Sequence, residues 1–218
     1  MNNLSQYTGQ MIEIGLSAKK TITGKLVEYG SDILVVYNGR IFYYIPFMHI
    51  IFIKKSDSTE NEDFSLAPSP IEKDSNQTTL SKILTNAKGK FVELYITGNH
   101  SVYGYITHIK KDYIAFYSPA FKTIFVPIGH LKWLIPYLDK TPFRVNVEPH
   151  FISSDLIISD TFEEQLKKLM GEVVILDLGV NPYKIGMIKN VEKNMVELIT
   201  GDGQMLYLNL LHIKSLHR

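Results

Sequence analysis

The sequence of 218 residues contains no cysteine, which excludes thiol catalysis, disulfide bonds and zinc sites with cysteine ligands. Long hydrophobic runs are also missing, because no apolar stretch approaches the roughly 20 residues that a membrane-spanning helix needs. The first residues lack the basic region and apolar segment that mark an export signal. We therefore expect a soluble chain that is not exported and does not span a membrane.

An excess of charge of one sign is lacking as well, since 23 basic and 22 acidic side chains leave a net charge of +1. This balance argues against broad electrostatic capture of nucleic acid or of an anionic membrane surface. The length of 218 residues could bury one large core, or several small ones if the chain is repetitive.

The sequence contains three copies of one pattern, which indicates an internal repeat. Each copy has two glycines fifteen residues apart, then an aspartate or asparagine eight residues later, and a histidine 25 or 26 residues after the second glycine. We interpret these repeat-defining residues as structural. They are Gly9, Gly24, Asp32 and His49; Gly89, Gly104, Asp112 and His130; and Gly171, Gly186, Asn194 and His212.

Short runs of alternating apolar residues lie between these markers, as in Ile12, Ile14 and Leu16. A period of two over a short run is typical of a half-buried strand. The pattern predicts about five short strands in each copy. Closure of these strands into a small barrel would remove the open edges of the sheet. We therefore predict an all-β chain of three tandem five-stranded barrels of the Sm-like or SH3-like type.

Short helices are expected to lead into at least the second and third barrels. Thr161 and Glu164 fit a capping box, and apolar residues then recur at helical spacing up to Gly171. A weaker helical pattern, which includes Leu80 and Leu84, precedes the first glycine of the second copy.

The predicted barrels occupy residues 1–55, 80–135 and 161–218. Residues 56–79 are acidic and rich in Ser, Asn and Pro, which predicts a flexible linker. Residues 136–160 contain more apolar side chains, so we expect a partly ordered linker there.

The three predicted barrels differ in charge. The first carries six basic and three acidic groups, the second seven and two, and the third seven of each. Scattered charges of this kind are typical of a solvated surface. A weak surface for an anionic partner on the first two barrels is the alternative.

The three equivalent histidines are the candidate catalytic or metal-binding constellation. A metal site requires them to converge near carboxylates, whereas each lies in a separate predicted barrel, so we interpret them as structural. Asp32, Asp112 and Asn194 are expected at β-turns, where such side chains bond the local backbone. No phosphate-binding glycine loop, HExxH motif or nucleophile elbow is recognisable. We therefore predict a protein that is not an enzyme, with no catalytic residue, no metal site and no cofactor.

The first half of each copy is similar to the first Sm motif, as in Gly9-x-x-Ile12-x-Ile14-x-Leu16. Sm-family RNA pockets also use an Arg/Lys-Gly element between the last two strands. The corresponding segments here have no positive charge; they are Ile45-Pro46-Phe47-Met48, Val126-Pro127-Ile128-Gly129 and Leu208-Asn209-Leu210-Leu211. An Sm-like nucleic-acid binder is therefore the less favoured alternative. A small-ligand or glycan-binding module is a third, for which no aromatic-plus-acid cluster is recognisable.

The triple unit resembles the spore coat protein B family of endospore-forming Bacillus-type bacteria. The repeated glycines and the closing sequence His212-Ile213-Lys214-Ser215-Leu216 carry the resemblance. Related coat proteins also have a Ser/Lys/Arg-rich tail that is phosphorylated, which we do not expect here because the chain ends at Arg218.

The resemblance implies a structural or scaffolding protein of the spore coat or outer spore layers, synthesised in the mother-cell cytoplasm. Other spore coat proteins are then the expected partners, and a homo-oligomer is an open alternative. Neither a membrane nor nucleic acid is the expected partner. Repeated modules suit such assembly, because linked weak contacts act at high effective concentration.

Overall fold

The computed structural model describes residues 4–17, 19–56, 68–71, 78–97, 100–137 and 158–218. The two predicted linkers lie for the most part outside these ranges, and the flexibility of one and the partial order of the other stay predictions. The three repeat units lie largely inside them.

Within the described residues, fifteen strands form one antiparallel sheet. The first unit contains β1 (Met11–Leu16), β2 (Lys20–Tyr29), β3 (Ile33–Tyr37), β4 (Phe42–Pro46) and β5 (Ile50–Lys55). The second contains β6 (Phe91–Thr97), β7 (His100–Ile109), β8 (Tyr113–Ser118), β9 (Lys122–Pro127) and β10 (Trp133–Pro136). The third contains β11 (Val173–Leu176), β12 (Ile185–Glu192), β13 (Met195–Thr200), β14 (Met205–Asn209) and β15 (Leu216–His217).

The fifth strand of each unit pairs with the first strand of the same unit, and in the second and third units it also pairs with the fourth strand of the unit before it. The order along the sheet is therefore β14-β13-β12-β11-β15-β9-β8-β7-β6-β10-β4-β3-β2-β1-β5. The pairs that cross unit boundaries are β4 with β10 and β9 with β15.

The prediction of a β-rich chain is confirmed, whereas three separate closed barrels are not. The sheet is open, and within the described residues the fourth and fifth strands of a unit do not pair with each other. The physical reason is that the unpaired backbone groups of one edge strand are satisfied by the edge strand of the neighbouring unit. Neighbouring units are thus joined through backbone hydrogen bonds.

Two α-helices precede the second and third units, as predicted: α1 (Leu80–Asn86) and α2 (Phe162–Lys168). The predicted capping box at α2 is confirmed, because Thr161 Oγ1 accepts from the Glu164 N–H and Glu164 Oε2 accepts from the Thr161 N–H. After the helices, Gly89 and Gly171 have φ angles of 75° and 85°, a conformation that other residues disfavour. None of the described helices is long and apolar enough to cross a membrane.

The hydrophobic core is shared between neighbouring units. The core of the second unit includes α1 together with residues from β3 and β4, namely Ile33, Val35, Tyr37, Phe42 and Tyr44. The core of the third unit includes α2 together with Tyr113, Ala115 and Phe125 from the second unit. Tyr95, Trp133 and Ile135 of the second unit pack in the core of the first. Side chains of each unit therefore help to bury the hydrophobic core of a neighbouring unit.

Candidate functional site

The two junctions between units have the same strand register. Leu134 of β10 pairs with Tyr44 of β4, and Leu216 of β15 pairs with Phe125 of β9. Leu134 and Leu216 each follow the repeated histidine by four residues, and Tyr44 and Phe125 also occupy equivalent positions. The chain therefore builds the same protein–protein interface twice.

The repeated aspartates lie at these junctions. Asp32 Oδ1 accepts a hydrogen bond of 2.8 Å from the N–H of Leu80, the first residue of α1. Asp112 Oδ1 accepts one of 2.9 Å from the N–H of Phe162, the first residue of α2. We expected these side chains to bond their own turns, but they bond the helix of the next unit instead. Both helices thereby gain an acceptor for a backbone N–H that has no partner within the helix.

A further contact strengthens the second junction. The hydroxyl of Tyr113 is buried, donates to the backbone oxygen of Ser159 at 2.7 Å and lies 3.2 Å from Gln165 Oε1. Burial raises the pKa of Tyr113, and the carboxylates of Asp112 and Asp160 act in the same direction. The phenol therefore stays neutral and serves as a hydrogen-bonding link between the units.

The repeated histidines occupy equivalent 3₁₀ turns, Phe47–His49, Ile128–His130 and Leu210–His212. The turns face one another across the unit boundaries, since His130 Nε2 lies 2.9 Å from the backbone oxygen of Leu211. His49 approaches the backbone of Gly129, which is the position equivalent to Leu211. The buried Nε2 of His49 makes no hydrogen bond of standard geometry with any residue that the structure describes.

The histidines influence one another electrostatically, although we expected separate barrels to hold them apart. Burial lowers the pKa of His49, and the charges of Lys132 and His130 lower it further. Burial also lowers the pKa of His130, and the hydrogen bond with the Leu211 backbone offsets part of this shift. No group of three histidine or acidic side chains that could hold a metal ion occurs among the described residues. The arrangement is a row of basic groups along the junctions.

The second glycine of each repeat lies where two backbones approach closely. A Cβ atom placed on Gly104 would lie 1.9 Å from the carbonyl oxygen of Tyr117. The corresponding distances are 2.7 Å from Gly24 to the Tyr37 oxygen and 2.3 Å from Gly186 to the Ile199 oxygen. Glycine at these positions lets the long, bent second strand of each unit pack against the third.

Sequence reasoning missed a variable contact between the first and fifth strands. Tyr95 and Trp133 stack in the second unit, with ring centroids 3.8 Å apart and planes 7° from parallel. At the equivalent place in the first unit, the Phe52 ring occupies the space that a side chain on Gly15 would need. In the third unit, the carboxylate of Asp177 takes this place, and its Oδ1 accepts from the backbone N–H of Ser215 at 3.4 Å. Only the structure reveals this equivalence, because the three pairs share no chemistry.

Comparison with known proteins places this architecture in a family. The chain is 37% identical over 224 residues to the uncharacterized protein YwrJ of Bacillus subtilis (strain 168), across 100% of this chain and 99% of that protein. The chain belongs to the YwrJ family. A family model described as the YwrJ third domain matches residues 161–216, which lie within the third unit.

A second relative supports part of the predicted resemblance. Spore coat protein B of Bacillus subtilis (strain 168) is 24% identical over 143 residues, which cover 66% of this chain and 36% of that protein. The similarity to a spore coat protein is thus found over about two thirds of the chain, whereas the YwrJ relationship extends over all of it.

Proposed function

We propose that the chain is a structural, non-enzymatic protein of the bacterial spore coat that assembles with other coat proteins. The similarity to spore coat protein B is the observation that carries this proposal. The coat or another outer spore layer is then its location, after synthesis in the mother-cell cytoplasm.

The shared cores and the repeated junctions favour such a role. Three units joined by backbone hydrogen bonds form a stiffer body than three domains on free linkers, because the units cannot rotate without breaking the sheet. Several large apolar side chains are exposed on this body, among them Met48, Ile51, Val173, Tyr183, Tyr207 and Leu211. Exposed aromatic and apolar groups of this kind are suited to contacts with other proteins.

We also propose that each unit is a small module of the Sm-like or SH3-like type. The strand order β5-β1-β2-β3-β4 supports this assignment, as does the short helix before the first strand of the second and third units. The long second strand has a register shift beyond its glycine, as between Leu26 and Glu28, which bends the sheet.

Localisation during sporulation tests the proposed function. A fluorescent fusion of the full chain should concentrate at the surface of the developing spore and remain with purified spores. Free fluorescent protein made from the same promoter is the control and should stay diffuse in the mother cell. A fusion that stays as diffuse as this control would overturn the proposal.

Nucleic-acid binding is a second candidate, favoured by the row of basic groups along the junctions. Lys132 Nζ donates to the backbone oxygen of Ser17 at 3.3 Å, and the charge of Lys214 adds to the effect of burial in lowering the pKa of Lys132. These lysines therefore lie near each other in neighbouring units.

Filter binding with single-stranded RNA at several salt concentrations separates the two candidates. A nucleic-acid binder should bind tightly at low salt, and the Lys132→Ala/Lys214→Ala variant should reduce the slope of log affinity against log salt by about 1.4. Weak binding that this variant does not change would exclude the second candidate.

A further inference from the structure

The two edge strands of the sheet are β5 and β14, and the equivalent strands of the other units pair with a neighbouring unit. Within the described residues, β5 has β1 on one side and no strand on the other, and β14 has only β13. The equivalent strands β10 and β15 pair with the preceding unit, and β4 and β9 pair with the following one. The two edges of the sheet therefore carry the two complementary sides of the strand pairing that joins neighbouring units elsewhere in the chain.

Residues at these ends are exposed where their equivalents are buried. Tyr207 of β14 is 60% exposed, whereas Tyr44 and Phe125 at the equivalent positions are 1% and 4% exposed. Phe52 of β5 is 43% exposed, whereas the equivalent Trp133 is 8% exposed. The difference follows from the missing neighbour, because side-chain size and apolar character are similar at these positions.

The backbone groups at both ends are oriented for a further strand. The Leu210 N–H donates to the Asn194 oxygen, so by the alternation of antiparallel hydrogen bonds the N–H and C=O of Tyr207 point away from β13. The Ser56 N–H donates to the Met11 oxygen, and the same alternation turns the N–H and C=O of Ile53 away from β1.

We propose that the chain associates with a second copy of itself in a head-to-tail manner, with β14 of one copy paired antiparallel to β5 of the next. The register of the two internal junctions places Ile53 opposite Tyr207, because Ile53 is equivalent to Leu134 and Leu216. The same register places Lys55 opposite Met205, so that the apolar side chains of Ile53 and Tyr207 lie side by side on one sheet face.

The segment before β1 supplies a further part of the interface. Leu84 of α1 and Leu166 of α2 are buried in cores that include the third and fourth strands of the preceding unit. Leu4 stands at the equivalent distance from the first glycine of its unit and is only half-buried. Leu4 of the incoming copy would pack against the corresponding face around Tyr207.

A head-to-tail interface either closes into a ring or continues as a filament, according to the rotation between copies. Both products contain the same junction. The inference rests on the proposed function in that it names one partner for the assembly, and it is tested on the purified full-length chain.

Sedimentation velocity at rising concentration gives the first test. Wild-type protein should sediment with at least twice the monomer mass of 24.9 kDa. Tyr207→Lys should raise the dissociation constant at least about tenfold, because it replaces an apolar ring by a cation on the same sheet face as Lys55 of the next copy. Tyr183→Lys, which changes a tyrosine of similar exposure away from the edge, should associate as wild type does. A wild-type chain that is monomeric at every concentration would overturn the inference.

Cysteine crosslinking tests the register, which the cysteine-free chain makes simple. The proposed register places Lys54 opposite Leu206 as a closely spaced pair, at about 4.5 Å between Cα atoms and within disulfide range. A Lys54→Cys chain mixed with a Leu206→Cys chain should form a disulfide-linked heterodimer under mild oxidation. Tyr207→Cys, whose side chain points to the opposite face, should crosslink poorly to Lys54→Cys. Crosslinking of the Lys54→Cys chain to itself in preference would contradict the head-to-tail arrangement.

The two proposals fail separately. A monomeric wild-type chain whose fusion still localises to the spore surface would overturn the self-association and leave the coat function standing. A chain that self-associates but whose fusion remains diffuse in the mother cell would overturn the coat function and leave the self-association standing.

Discussion

The carboxylate of Asp32 accepts a hydrogen bond of 2.8 Å from the backbone N–H of Leu80, where the helix of the next unit begins. Asp112 and Phe162 repeat this relationship at the second junction. The backbone oxygens of Asp32 and Asp112 also accept from Phe47 and Ile128 within their own units. The aspartate therefore connects the end of its unit to the start of the next one.

Removal of the Asp32 carboxylate should destabilise the first junction. Asp32→Ala leaves the Leu80 N–H without its acceptor in a half-buried site, so we expect the free energy of unfolding to fall by about 1–3 kcal/mol. Urea denaturation followed by circular dichroism measures the change.

Asp32→Asn is the matched control, because an amide oxygen can still accept the bond. We expect it to cost less than about 1 kcal/mol, and asparagine already occupies the equivalent position as Asn194. Equal losses for Ala and Asn would show that the negative charge, rather than the hydrogen bond, stabilises the junction.

Two glycine substitutions should differ sharply in their effect. In Gly104→Ala the new Cβ atom meets the Tyr117 carbonyl oxygen at 1.9 Å, so the backbone of β7 or β8 must move. We expect a loss of about 3 kcal/mol in the free energy of unfolding. Gly129→Ala adds the same methyl group where, apart from its chain neighbours, no atom of a described residue lies within 4 Å, and should change stability by less than about 0.5 kcal/mol. Similar melting temperatures for the two variants would contradict this account.

The repeat units and their helices could be predicted from sequence because their signals are local. Alternating apolar residues mark strands, and the Thr161–Glu164 capping box marks the start of α2. The pairing of edge strands could not be predicted in this way. The strands that contain Tyr44 and Leu134 have the same alternation of apolar and polar residues in either arrangement, whether an edge strand pairs within its own unit or with the next one. Both arrangements bury the same side chains.

The site was harder to predict for a related reason. Asp32 stands in a sequence that is typical of a turn, and nothing nearby in the chain indicates a partner 48 residues away. His130 likewise contacts Leu211, which is 81 residues further on. Side chains that act between units can be recognised only once the order of the strands is known.

Trp133 should report on the junction between the first two units. Its ring is 8% exposed, stacks on Tyr95 and contacts the edge of Tyr43 with centroids 6.3 Å apart. Trp133→Ala should lower the free energy of unfolding by about 3–5 kcal/mol, because it leaves a cavity between units.

Trp133→Phe should cost much less, about 1–2 kcal/mol, since it removes less volume. The indole Nε1 has no hydrogen-bond partner among the described residues, so its loss leaves no polar group unpaired. Phenylalanine also stands at the equivalent position of the first unit, as Phe52. A Phe variant as unstable as the Ala variant would show that the indole N–H has a role beyond packing.

Stability should depend on pH through the histidines at the junctions. Burial lowers the pKa of His49, His130 and His217 below 6.5. The folded state therefore binds fewer protons than the unfolded state between each lowered value and 6.5, and the free energy of unfolding rises with pH across that interval. The histidine contribution is complete above pH 6.5 and is lost as the pH falls below it.

Urea denaturation between about pH 5 and pH 8, at one fixed protein concentration, measures this dependence. The comparison protein is the variant with glutamine at all three positions, His49→Gln/His130→Gln/His217→Gln. Carboxylates and His108 remain in both proteins, so the difference between the two curves isolates the three histidines. We expect the wild-type midpoint to fall more steeply than that of the variant below pH 6.5. Parallel curves would mean that these side chains are protonated equally in the folded and unfolded states, and that their burial at the junctions does not affect stability.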